Sequence, residues 1–152
     1  MLNIGDSVRF KRDRYPLPYA YSFVTCDTTE VYQITKMIDW RGQRLYACSK
    51  PNSDGCMTAL PEDSYELIKS TEMRTPFTLG DRVVVRRLNQ FHIECNLFAN
   101  STQKRIVDEQ LPGIVVGVYT KGRRRYYIIE YPDFGAQGVA AERDISFAPT
   151  AQ

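Results

Sequence analysis

The sequence has one histidine, His92, and that scarcity removes most catalytic arrangements that depend on imidazole. It has no G-x-S-x-G, no Gly-rich phosphate loop ending in Lys-Ser/Thr, no H-E-x-x-H and no dinucleotide fingerprint. Its cysteines, Cys26, Cys48, Cys56 and Cys95, form no C-x-x-C pair. His92 and Cys95, completed by Cys48 and Cys56, would make only an irregular zinc set, so small, reduced core residues are the better reading and no metal or cofactor is expected. Long apolar runs are missing too. No segment approaches the ~20 apolar residues a bilayer span requires. The opening MLNIGDSVRFKRDR lacks the apolar stretch of a secretory signal, so a cytoplasmic setting is expected. Nor does one sign of charge dominate. Lys+Arg number 20 against 18 Asp+Glu, and the whole excess of +2 falls in residues 76–152. That is a faint bias toward polyanions, short of the strongly basic balance of a dedicated nucleic-acid binder.

What the chain does have is aromatic and β-branched residues. Ten tyrosines and seven phenylalanines, among many Val, Ile and Thr, favour strands over helices. A hydrophobic fraction of 43% is enough for a globular core rather than a disordered chain. With 152 residues, that core belongs to one ordinary domain or two very small ones.

Internal similarity favours two. NIGDSVRFKR at 3–12 resembles TLGDRVVVRR at 78–87, so Gly5-Asp6 and Gly80-Asp81 stand 75 positions apart. WRGQRLYACSKP at 40–51 resembles TKGRRRYYIIEYP at 120–132. Aligned there, Gly42 matches Gly122, Arg44 matches Arg124, Tyr46 matches Tyr126 and Pro51 matches Pro132. An acidic turn closes each copy, LPEDSYELI at 60–68 and AAERDISF at 140–147, with Asp63 against Asp144. The expected organisation is a duplication, with units at 1–72 and 76–149 joined near the polar STEMRTP.

Each copy reads as five short strands separated by turn residues, an order that suits a small, bent, partly open barrel. Gly-Asp-x-Val, the Pro-Gly-x-Val strand, a Gly-centred hairpin, a Tyr-rich strand and a closing acidic-aliphatic strand resemble the SH3-like barrel superfold, in its KOW and Tudor-type variants. The resemblance implies an all-β chain of two tandem barrels that bind RNA, DNA or a peptide. Each copy departs from that pattern by a long insertion after its first strand, residues 12–30 and 88–112.

Two surfaces are candidates for binding. In the first insertion, Tyr15, Tyr19, Tyr21 and Phe23 surround Pro16 and Pro18, and Trp40-Arg41 stands beside the first hairpin turn. Rigid aromatic side chains of this kind dominate protein-binding hot spots; capping an open barrel end is their other use. The second surface is the basic hairpin, with Lys121, Arg123, Arg124, Arg125 and Tyr127. Arginines there would meet phosphates and tyrosines would stack bases. Taking Tyr46 and Cys48 as the inward face of copy one puts Tyr126 and Ile128 inside, with Arg125, Tyr127, Ile129 and Tyr131 outside. That outer stripe has two uses, a nucleic-acid grip or a packed face.

In the second insertion, TQKRIVDEQL suits a turn or two of helix, with Thr102 as its cap. The paired carboxylates of the closing turns suit a structural role. A non-catalytic binding protein of adaptor or inhibitor type, engaging a protein partner through the aromatic loops, is the leading expectation. A nucleic-acid-binding protein of the transcription or translation type is the alternative.

Overall fold

The computed structural model describes residues 2–11, 29–50, 59–72, 74–88 and 100–149. Among these the protein is mostly β, with antiparallel strands and one α-helix. The chain divides into two compact units, Met1–Thr75 and Pro76–Gln152.

In the first unit the strands are β1 (Ser7–Phe10), β2 (Tyr32–Trp40), β3 (Gln43–Ser49), β4 (Leu60–Pro61) and β5 (Tyr65–Lys69). Consecutive strands β1 to β4 pair antiparallel, and β5 returns to pair with β1. The alternation in SVRF produces β1 directly: Val8 and Phe10 are buried, while Ser7 and Arg9 are half-buried. The Phe10 ring meets Tyr32 edge-on at 5.2 Å and Tyr65 at 5.3 Å, which joins three strands in one aromatic core.

The second unit repeats that order of neighbours. Its strands are β6 (Arg82–Val85), β7 (Gly113–Lys121), β8 (Arg124–Tyr131), β9 (Ala136–Ala141) and β10 (Ile145–Phe147). Strand β6 pairs with β7 and β10, β7 with β8, and β8 with β9. Val83, Val85, Val115, Val118, Tyr127, Ile129 and Tyr131 form its interior. Gly113 is small for a steric reason, since a Cβ there would collide with Ile129 Cγ2 and lie 2.8 Å from the Tyr131 ring.

The two Gly-Asp turns make the same hydrogen bonds. The Gly5 N–H donates to Ile34 O and the Ile34 N–H to Asp6 O; the Gly80 N–H donates to Val115 O and the Val115 N–H to Asp81 O. Each aspartate carboxylate accepts the N–H three residues earlier, from Asn3 at 2.9 Å and from Thr78 at 2.8 Å. Just beyond, the second strand of each unit carries a register shift, between Ile34 and Lys36 and between Val115 and Gly117. A single 3-10 turn, Glu62–Ser64 or Glu142–Asp144, precedes the last strand in both units. Its final carbonyl accepts the Lys11 N–H in one and the Arg86 N–H in the other.

The helix α1 spans Asn100–Asp108. It begins before Thr102, so Thr102 is a residue of the helix and not its cap. Ile106 is fully buried, and Arg105 pairs with Glu109 one turn on at 2.8 Å. No helix among the described residues is long and apolar enough to cross a membrane.

Candidate binding surface on the second hairpin

Both hairpins turn through two residues. Arg41 and Gly42 have φ of 50° and 79°, and Gly122 and Arg123 have φ of 61° and 55°. Positive φ at both central positions is the type I′ pattern, whose twist matches that of the flanking strands. Trp40 therefore faces Gln43, and Lys121 faces Arg124.

This register corrects the expected match between the copies. Both Tyr46 and Tyr127 pair with the strand before their turn and with the strand after: Tyr46 with Met37 and Leu60, Tyr127 with Val118 and Ala140. Tyr127, not Tyr126, is thus the counterpart of Tyr46. Gly42 takes the position of Arg123, and Arg44 that of Arg125. A slip of one residue sends every side chain of a strand to the opposite face. The expected faces of β8 are accordingly reversed: Tyr127, Ile129 and Tyr131 are interior, while Tyr126 and Ile128 are half-buried. The first unit had no power to arbitrate, because Leu45 to Ser49 of β3 are all buried, whichever face they occupy.

Tyr127 is therefore no stacking surface for a base, and Arg125 is not an open cation. Arg125 donates from Nε to Glu142 Oε1 at 2.7 Å and from Nη2 to Oε2 at 2.9 Å. The Tyr127 hydroxyl donates to the same Oε1 at 2.7 Å. Burial pushes the Glu142 carboxyl up, but the bonds from Arg125 and Tyr127 more than reverse it, and the net position is below the usual carboxylate range. Burial, then the hydrogen bond and charge of Glu142, raise the Tyr127 phenol above its ordinary value. The first unit sets the same residue types together. The Tyr46 phenol is raised by burial and by the charge of Glu62, with Arg44 opposing through its charge and a hydrogen bond. Glu62 occupies the place of Glu142, and Asp63 that of Arg143, not of Asp144.

The outward face of the second hairpin holds a different set. Tyr119 and Tyr126 are directly paired across β7 and β8, and their rings stack with centroids 5.4 Å apart and planes 20° apart. Lys121 and Arg124, the next pair on this face, lie toward the turn, about 7 Å along the strands. With Arg123 they are exposed, and none of the three makes an ion pair or side-chain hydrogen bond to another described residue. Tyr126's neighbour on β9 is Ala141, too small to cover its ring. Glu130, two residues beyond Ile128 on the same face, is separated from Tyr126 by about 14 Å of strand. The sequence alone puts Tyr126 inside and gives Tyr119 no role. A two-residue turn at Gly122-Arg123, one position later than the match of Gly42 to Gly122 implies, is what brings them together.

Trp40 is 52% exposed, and the Arg41 guanidinium lies 4.6 Å from its ring centroid. Beside it, Arg44 reaches Asp39 at 3.4 Å. Tyr15, Tyr19, Tyr21 and Phe23 lie outside the described residues, as do Cys26, Cys56, His92 and Cys95. Cys48 is buried, and no three potential metal ligands cluster among the described residues. Comparison with family models, with curated proteins and with solved structures finds no match.

Proposed function

We propose that the protein is a non-catalytic, nucleic-acid-binding pair of SH3-like barrels derived from one duplicated unit, with the turn of the second hairpin as its phosphate-binding surface. The duplication rests on matched hydrogen bonds and register shifts, which reach beyond the residues that look alike. The observation that carries the binding reading is the charge at the turn. Lys121, Arg123 and Arg124 converge on one tip without a carboxylate partner among the described residues, whereas Arg125, next in sequence, is neutralised by Glu142. Cations held this way attract a polyanion, and binding releases its counterions.

Titration of labelled single-stranded RNA, single-stranded DNA and duplex DNA at low and near-physiological salt tests the reading. Three cations on a single strand correspond to a log–log salt slope of about −2. Lys121→Ala with Arg123→Ala and Arg124→Ala is expected to remove most of that slope and the affinity with it. Absence of binding at low salt overturns the proposal.

Exposure of Trp40 supports a second reading, in which the first hairpin engages a protein partner. Aromatic anchors bind with little salt dependence, so partner capture that is insensitive to salt and lost in Trp40→Ala is the expected signature.

A further inference from the structure

We infer that the Tyr119–Tyr126 pair receives an unpaired base, so that the polynucleotide bound at the second hairpin is single-stranded. The inference rests on the nucleic-acid reading and adds to it the form of the ligand.

A cluster of cations alone accepts any phosphate chain, duplex or single. The two tyrosines are what discriminate. Each is half-buried in the middle of a strand, so its backbone is held by the β7–β8 ladder and not by a mobile loop. Their rings already stack on one another, which orders both before a ligand arrives. A base added to the outer ring extends this stack, and any base has the π-face required. Bases inside a duplex are stacked on one another and present only their edges, so the same surface offers them little.

Charge and rings are also correctly related in space. Lys121 and Arg124 share the face of the tyrosines and lie one cross-strand pair closer to the turn. A strand whose base lies on Tyr126 can therefore place its backbone along the cations, with Arg123 at the end of the turn. Ala141 of β9 flanks the platform beside Tyr126 and brings no charge to it. Glu130 stands at the far end of the face, where it repels phosphate and favours a strand that leaves toward the turn. The corresponding face of the first unit lacks this set. Ile38 pairs with Leu45 where the tyrosines pair, and Trp40 pairs with Gln43 where the cations do.

The test uses the full chain and oligonucleotides of about a dozen nucleotides, within the range of known single-strand sites. Four probes are compared: single-stranded RNA, single-stranded DNA, an abasic deoxyribose-phosphate chain of equal length, and duplex DNA. The intact single strands should bind about tenfold or more tightly than the abasic chain and the duplex. Tyr126→Leu combined with Tyr119→Leu should bring them down to the abasic level, while Tyr126→Phe retains the preference. The RNA and DNA arms show which sugar is preferred. If that double variant does not fold, the unaltered protein is photocrosslinked to a 5-iodouracil oligonucleotide, and the adduct should map to Tyr119 or Tyr126. Equal binding of intact, abasic and duplex probes, with loss only in the triple-cation variant, overturns base stacking but leaves the phosphate grip standing. An adduct that maps elsewhere also overturns it. If no probe binds, both proposals fall.

Discussion

Glu142 shows how one side chain decides which of three neighbouring arginines is available. It accepts two hydrogen bonds from Arg125 and one from the Tyr127 hydroxyl, and so fixes β8 to the 3-10 turn that precedes β10. Arg123 and Arg124 have no such acceptor among the described residues. Bonds to a charged group are worth about 1.5–3 kcal/mol each before discounting for partial exposure. Glu142→Ala should therefore cost on the order of 2 kcal/mol in urea denaturation, and Tyr127→Phe about 1 kcal/mol. The pH dependence follows from the lowered folded-state value of Glu142. Stability from this group is fully present above the unfolded carboxyl value of about 4.3 and lost as pH falls through the lower folded value. The gap between the wild type and Glu142→Gln should accordingly narrow below about pH 4, and denaturation midpoints measured across that range check it.

Among elements, the hairpin turn carries a measurable conflict. Arg123 has φ of 55°, a left-handed conformation in which a side chain costs about 1 kcal/mol relative to glycine. Arg123→Gly should thus raise stability by up to about 1 kcal/mol. The same change removes an exposed cation, so affinity for an oligonucleotide should fall. Opposite movement of the unfolding midpoint and the binding constant would mean that strain is retained at the turn for the sake of the charge. A rise in stability with unaltered binding would remove Arg123 from the phosphate-binding set. At the same scale, strand positions were legible because Val8 and Phe10 alternate with Ser7 and Arg9, and because Val83, Val84 and Val85 are a β-branched run. The faces of β8 were not, because RRYYIIEY is apolar on both sides beyond its arginines and its period alone does not say which side is inward.

For the molecule as a whole, the two Gly-Asp turns look alike in sequence but do unequal work. Asp6 is 1% exposed, and besides the Asn3 N–H its carboxylate accepts the Thr71 N–H at 2.8 Å, which ties the start of the first unit to its end. Asp81 has the local bond to Thr78. Asp6→Ala leaves two N–H groups without their acceptor and should cost on the order of 3 kcal/mol; Asp81→Ala should cost about 1 kcal/mol. Trp40, the sole tryptophan, belongs to the first unit, so its fluorescence reports unfolding there. Asp6→Ala should shift the fluorescence midpoint clearly, and Asp81→Ala much less.

Sequence alone determined the β character, the presence of a hairpin at Gly42 and at Gly122, and the two corresponding Gly-Asp landmarks, all of them consequences of local chemistry: alternation, turn-forming glycine and short-range hydrogen bonds. Tertiary structure decided which tyrosines are interior, which arginine is neutralised and which positions of the two units correspond. Tyr126 and Tyr127 are adjacent and chemically identical, and only the partners across the sheet distinguish them. Glu142 is 17 residues from Arg125 and reaches it only because β8 pairs with β9 and the chain then turns back. The proposed binding surface belongs to that second class. Its rings come from two strands and its cations from both sides of a turn, and strand register is what sets them on one face.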